Sequence, residues 1–97
     1  MKAYELMLIL DPSLDEDAQA SVMEKAKGVI TDGGGTVDDV DPWGKRQLAY
    51  EIDDRTDGIY VVVRFHADPA AVKELDRVLH ITDQVLRSMI VRLEHVA

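Results

Sequence analysis

Between residues 3 and 10 the chain alternates, with Tyr4, Leu6, Leu8 and Leu10 on one side and Ala3, Glu5, Met7 and Ile9 on the other. A period of two, closed by Asp11-Pro12, predicts a strand with two largely apolar faces. The period then changes. Leu14, Ala18, Val22, Ala26, Val29 and Ile30 recur at helical spacing as far as Gly33-Gly34-Gly35. That pattern predicts an amphipathic helix opened by a Ser13-Leu14-Asp15-Glu16 capping box and closed by a glycine C-cap. Residues 36–40 and 47–52 return to strand character. Asp41-Pro42-Trp43-Gly44 between them predicts one long strand bent at a bulge. Asp53-Asp54-Arg55-Thr56-Asp57-Gly58 predicts a hairpin turn, and the β-branched run of residues 59–65 a central strand. Asp68 as N-cap and Pro69 at the first helical position start a second helix, whose apolar stripe is Val72, Leu75 and Leu79 with Val78 beside them.

Residues 85–93 fit either period, since Val85, Leu86, Met89, Ile90 and Leu93 also fall at helical spacing. A strand is the better expectation, because a fourth strand gives two helices enough sheet to cover. The order is then βαββαβ. With right-handed crossovers this is an α+β fold, the ferredoxin-like sandwich: a four-stranded antiparallel sheet with both helices on one face. At 97 residues, with 46% hydrophobic and 31% charged side chains, the chain is expected to form a single domain over residues 1–97 around one core.

The 11 basic and 19 acidic residues give a formal charge of −8, which argues against a general polyanion binder and against attachment to anionic lipid by bulk charge. The charge is uneven. Residues 11–41 carry nine acids and two bases, a local −7, whereas the remainder holds nine bases against ten acids and can still present a basic face. There is no cysteine, so thiolate chemistry and disulfides are excluded. Glu5 interrupts the apolar start and nothing approaches the ~18 apolar residues of a membrane span. A cytoplasmic protein without membrane attachment is expected.

His66, His80 and His95 sit at no recognised metal spacing, so no metal and no cofactor are expected. The paired carboxylates between Asp11 and Asp41 read as a solvated face, and Ser13, Ser21 and Ser88 lack a nucleophile elbow, so no catalytic residue is assigned. RNA-recognition domains share the βαββαβ order and stack bases on strand aromatics. Here the third strand offers mostly Ile and Val at those positions, and base stacking across the sheet is not expected. The same apolar face suits burial against another protein, or a covering by its own long side chains; both readings stand. Lys45, Arg46, Arg87 and Arg92 are candidates for phosphate contact, although composition alone reads each as a solvated charge.

Trp43-Gly44-Lys45-Arg46-Gln47-Leu48-Ala49-Tyr50-Glu51-Ile52 resembles the signature of the bacterial small-subunit ribosomal protein six family. The likeness runs through Tyr4-Glu5, Asp11-Pro12, Gly58-x-Tyr60 and the stretch from Ile81-Thr82-Asp83-Gln84 to Met89, and so covers essentially the whole chain. It implies the ferredoxin-like fold, a structural role in the platform of the small (30S) subunit, and binding to the central domain of 16S rRNA together with small-subunit protein eighteen, without catalysis. Carried onto matching positions, it implies RNA or partner contact by Lys2, Tyr4, Lys45, Arg46, Arg87 and Arg92. By its charge the acidic helix would face away from the RNA. Two departures bear on this: Glu51 stands where some relatives have Pro, and an acidic tail that some carry is missing after Val96-Ala97, which leaves tail modification unsupported. The alternative is a small-molecule-binding regulatory domain of the same fold; it would want a glycine in the loop after the first strand, where this chain has Asp11-Pro12-Ser13.

Overall fold

A computed structural model of the chain describes residues 1–52 and 55–93, and the side chains of 49–52 and 55 are outside that description. The elements run β1 (Lys2–Leu10), α1 (Glu16–Asp32), β2 (Thr36–Ile52), β3 (Arg55–Ala67), α2 (Pro69–His80) and β4 (Val85–Arg92). They form one sheet in the order β2-β3-β1-β4 with antiparallel pairing throughout. The ambiguous last segment is therefore a strand, and it pairs along β1 from Leu10↔Val85 to Tyr4↔Arg92.

Side-chain parity explains the layering. Tyr4, Leu6, Leu8 and Leu10 of β1 and Ile59, Val61, Val63, Phe65 and Ala67 of β3 share one buried cluster with Val22, Ala26 and Ile30 of α1 and Ala71, Leu75 and Leu79 of α2. Both helices thus cover the same sheet face, because successive strand residues point to opposite sides. Leu14, Val29, Val72, Val85 and Ile90 pack half-buried around that cluster. Full burial of side chains the size of Leu6, Leu8 or Phe65 stabilises by roughly 1.5–3 kcal/mol each.

Two local expectations need correction. Asp15, not Ser13, caps α1: its Oδ1 accepts the Ala18 N–H at 2.8 Å. Ser13 is already engaged, its N–H and hydroxyl donating to Asp11 Oδ1 at 2.9 and 2.7 Å. The hairpin turn placed over 53–58 is also too long. Arg55 is already paired with Ile52 and Gly58 with Arg46, so residues 55–58 belong to β3. The turn residues Asp53 and Asp54 lie outside the described residues, as do His95 and the end of the chain at Val96-Ala97. Gly58 is there for space, not turning. A Cβ on it would lie 2.4 Å from Ile9 Cγ2 on the neighbouring strand and 3.3 Å from Leu48 Cδ2.

The remaining punctuation holds. Gly34, at φ +84°, donates to Thr31 O while Gly35 donates to Ile30 O, the paired bonds of a Schellman close to α1. At the start of α2, Asp68 caps through its carbonyl, which accepts from Ala71 and Val72, and Pro69 follows. β2 is continuous but irregular, with register shifts between Val37 and Asp39 and between Pro42 and Gly44. Gly44, at φ +82°, supplies the left-handed turn of the second bulge.

Gly58→Ala should therefore destabilise by about 1–3 kcal/mol through overpacking against Ile9, whereas Gly28→Ala should stabilise by about 0.5–1 kcal/mol, since a Cβ there meets nothing within 4 Å on an α1 surface. Urea midpoints of the two variants check the contrast; equal midpoints would refute the close-approach reading of Gly58.

Candidate functional site

The uncovered face of the sheet can be read row by row from the register. Asp39, Arg64, Glu5 and Val91 lie across it in one row, Asp41, Val62, Met7 and Met89 in the next, and Gly44, Tyr60, Ile9 and Arg87 in the third, with Arg46 opposite Gly58 beyond. The face is graded: charged at one end, apolar in the middle, aromatic and cationic at the other.

At the charged end the carboxylates are engaged. Arg64 Nη1 lies 3.1 Å from Asp39 Oδ2 and its Nε 3.6 Å from Glu5 Oε2, while His66 Nδ1 is 2.5 Å from Asp38 Oδ2. Asp38-Asp39 is thus a pair of cross-strand anchors on a bulge, each aspartate taking a different partner on β3. These are exposed pairs, worth about 0.2–1 kcal/mol apiece. A further exposed pair lies on α2, where the hydrogen bond from Arg77 holds the Glu74 carboxyl below the usual carboxylate range.

The middle of the face divides the two readings left open for it. Val62 and Ile9 are buried at 1% and 7% exposure, covered by the side chains around them, yet Met89 and Val91 on edge strand β4 remain about half exposed, with Leu93 continuing the strip. The apolar surface available to a partner lies along β4.

The six sequence-predicted contact residues fall into two groups at opposite ends of the sheet. Lys2, Tyr4 and Arg92 share the end where β1 begins, and Lys45, Arg46 and Arg87 the end where it finishes. The rows of Arg92 and Arg87 are opposite Tyr4 and Ile9, roughly 17 Å apart at strand rise. Tyr4 is buried and stacks on Phe65, ring centroids 5.6 Å apart at 22°, so its ring is core. It nevertheless lines a groove of about 430 Å³ between α2 and β4 with Lys73, Asp76 and Arg92. Lys73 was not among the sequence candidates; it reaches this groove from the exposed side of α2, a placement that requires the helix to be docked.

Sequence reasoning also missed an aromatic pair. The bulge makes Trp43 the extra residue beside Gly44↔Tyr60, and its ring lies nearly parallel to that of Tyr60, at 7° and 6.3 Å between centroids. Trp43 Nε1 donates to Asp41 Oδ2 at 3.0 Å and Arg46 Nε to the Trp43 carbonyl at 3.3 Å. Only the pairing of β2 with β3 could have shown this: counted on from Pro42↔Val61, Trp43 falls opposite Tyr60, and the bulge hands that pairing to Gly44 while the indole stays beside the Tyr60 ring. Among the described residues no cluster of three or more metal-ligating side chains occurs, and no helix is long and apolar enough to cross a membrane.

With this geometry in view, the family model described as Ribosomal protein S6 matches residues 3–92. The chain belongs to the ribosomal protein S6 family. It is 54% identical to small ribosomal subunit protein bS6 of Clostridium acetobutylicum over 94 residues, covering 97% of this chain and 99% of that one. Against bS6 of Micrococcus luteus the identity is 48%, covering 97% and 93%. The crystal structure of 30S ribosomal protein S6 from Thermotoga maritima superposes with a TM-score of 0.88 at 30% identity, covering 95% of this chain and 87% of that one. The expected family and ferredoxin-like fold are thereby established, together with a structural, non-enzymatic role in the small ribosomal subunit. This decides against a small-ligand regulatory domain.

The division of β4 between two faces is directly testable. Met89→Gln should leave stability within about 0.5 kcal/mol of wild type, while Ile90→Gln, which places an amide against the core, should cost roughly 1–3 kcal/mol. Denaturant titration of both variants checks it; equal losses would contradict the assigned faces.

Proposed function

We propose that this S6-family chain binds the central domain of 16S rRNA jointly with small-subunit protein eighteen, in the cytoplasm, and that Lys2, Tyr4, Lys45, Arg46, Arg87 and Arg92 lie at the RNA or partner contacts. The observation that carries the reading is the division of the surface: an exposed apolar strip of Met89, Val91 and Leu93 on an edge strand, with cations at both ends of the sheet. An apolar strip on an edge strand suits a protein partner. Separated cations suit phosphates, which fix register without carrying sequence information.

The formal charge of −8 explains why a partner is needed. RNA affinity rests chiefly on phosphate neutralisation, and a chain with a strong net negative charge resists close approach to a polyanion. The partner supplies much of the basic surface, while this chain supplies a rigid sheet and a few positioned cations. Helix α1, with Asp15, Glu16 and Asp17 at its start, is turned away from the RNA.

Binding of a central-domain 16S RNA fragment at fixed salt, with the chain alone and then with protein eighteen, tests the reading. Binding is expected only with the partner present, and tight binding by the chain alone would overturn the partner dependence. In the joint complex Arg46→Ala and Arg87→Ala should each reduce the slope of log K against log salt by about 1.

A further inference from the structure

Trp43 and Tyr60 form an unusual use of surface. A tryptophan left 43% exposed forfeits much of its burial energy, yet three devices fix it in place: the β2 bulge with Gly44 at positive φ, the Asp41 carboxylate on the indole N–H, and the Arg46 guanidinium on its carbonyl. The result is a shallow recess of about 450 Å³ lined by Trp43, Arg46, Gln47 and Tyr60. Its two rings stack nearly parallel, at 7° and 6.3 Å between centroids, and the part-exposed indole offers a π-face.

We propose that Trp43, Tyr60 and Arg46 form a seat for a single unpaired nucleobase of RNA. The inference rests on the RNA-binding reading and adds to it the place where a base, as distinct from a phosphate, is held. Stacking needs only a π-face on the base, so the seat takes any base and favours large ones. Arg46 Nε is used internally, and the terminal amino groups of a guanidinium are the pair that grips a phosphate. Arg46 lines the recess beside the rings, so the charge there matches a nucleotide better than an apolar peptide. The Gln47 amide offers a donor and an acceptor to a base edge. Arg87 closes the same cross-strand row beyond Ile9. Asp41 spends its carboxylate on the indole N–H, which leaves the ring faces as the recognition surface.

Trp43 is the chain's single tryptophan, so its fluorescence reads the seat directly. The full chain is titrated at low salt with single-stranded oligoadenylate up to millimolar concentration. Saturable quenching is expected, with affinity reduced about tenfold by Tyr60→Val and clearly weakened by Arg46→Ala, and with Lys25→Ala, on the exposed side of α1, behaving as wild type. In the joint complex with the 16S fragment and protein eighteen, Trp43→Ser should weaken binding about tenfold and Trp43→Phe should restore most of it. Thermal midpoints of the variants, together with circular dichroism, confirm that each is folded. No saturable quenching, or wild-type fragment affinity in Trp43→Ser, overturns the seat while leaving the RNA reading intact. A fluorescence change produced by protein eighteen without RNA overturns it too, by assigning the rings to a protein contact. Absence of fragment binding in every condition removes the RNA reading and the seat with it.

Discussion

The pairing of β1 with β3 determines where everything else in this chain can go. Leu6 lies opposite Val63 and Leu8 opposite Val61, so the two central strands place their large aliphatic residues on the same side in matching rows. A slip of one residue would turn Tyr4, Leu6, Leu8 and Leu10 out of the core and bring Glu5 and Met7 in, at a cost of several buried side chains. With that register set, α1 and α2 have one apolar surface to cover, and the edge strands β2 and β4 inherit their facing from their neighbours. The uncovered face then follows as the complement: Arg64, Val62 and Tyr60 point to it because Phe65, Val63 and Val61 point to the helices, although neighbouring side chains still bury Val62.

Against this rigid frame, the irregular strand is β2. Regular alternation would carry one residue per row, but two bulges add residues at the Asp38-Asp39 and Trp43-Gly44 positions. The first lets neighbouring aspartates reach different partners on β3, His66 and Arg64. The second inserts Gly44 opposite Tyr60 and leaves the Trp43 indole beside that ring as the extra residue. Bulges re-aim side chains that a regular strand would send to the other face. In this molecule both sit on an edge strand, where the ladder can tolerate them and where a partner can reach the result.

How much of this could be read from the sequence varied with the kind of signal. Element types were legible because period two and period 3.6 are written in positions such as Leu6 and Leu8 or Val22 and Ala26, and the glycine stop after α1 has its own chemistry. The S6 signature between Trp43 and Ile52 made the family legible as well. Close approach was not legible: Gly58 looked like a turn glycine because only the neighbouring Ile9 Cγ2, supplied by a strand far away in sequence, shows why it lacks a side chain. Competition between caps was equally hidden, since Ser13 has good capping spacing and loses only because Asp11 engages it first. For the site, the individual cations were visible but their separation into two groups was not, because Lys2 and Arg92 meet only through the β1–β4 pairing. Trp43 and Tyr60 meet only through the β2–β3 pairing, and Lys73 enters its groove only through the docking of a helix.

The strand order also has a consequence for how the chain comes into being. β1 is the first strand to emerge during synthesis and sits in the middle of the finished sheet, with one neighbour supplied by β3 and the other by β4. Tyr4 faces Arg92 across almost the whole length of the chain. At about 5–20 residues per second, β1 waits for seconds with an apolar face and two unpaired edges before its second partner exists. Non-local pairings of this kind close late, because loop entropy must be overcome before the contact forms. A protein destined for the small ribosomal subunit therefore cannot complete its own sheet until β4 has left the ribosome that is making it.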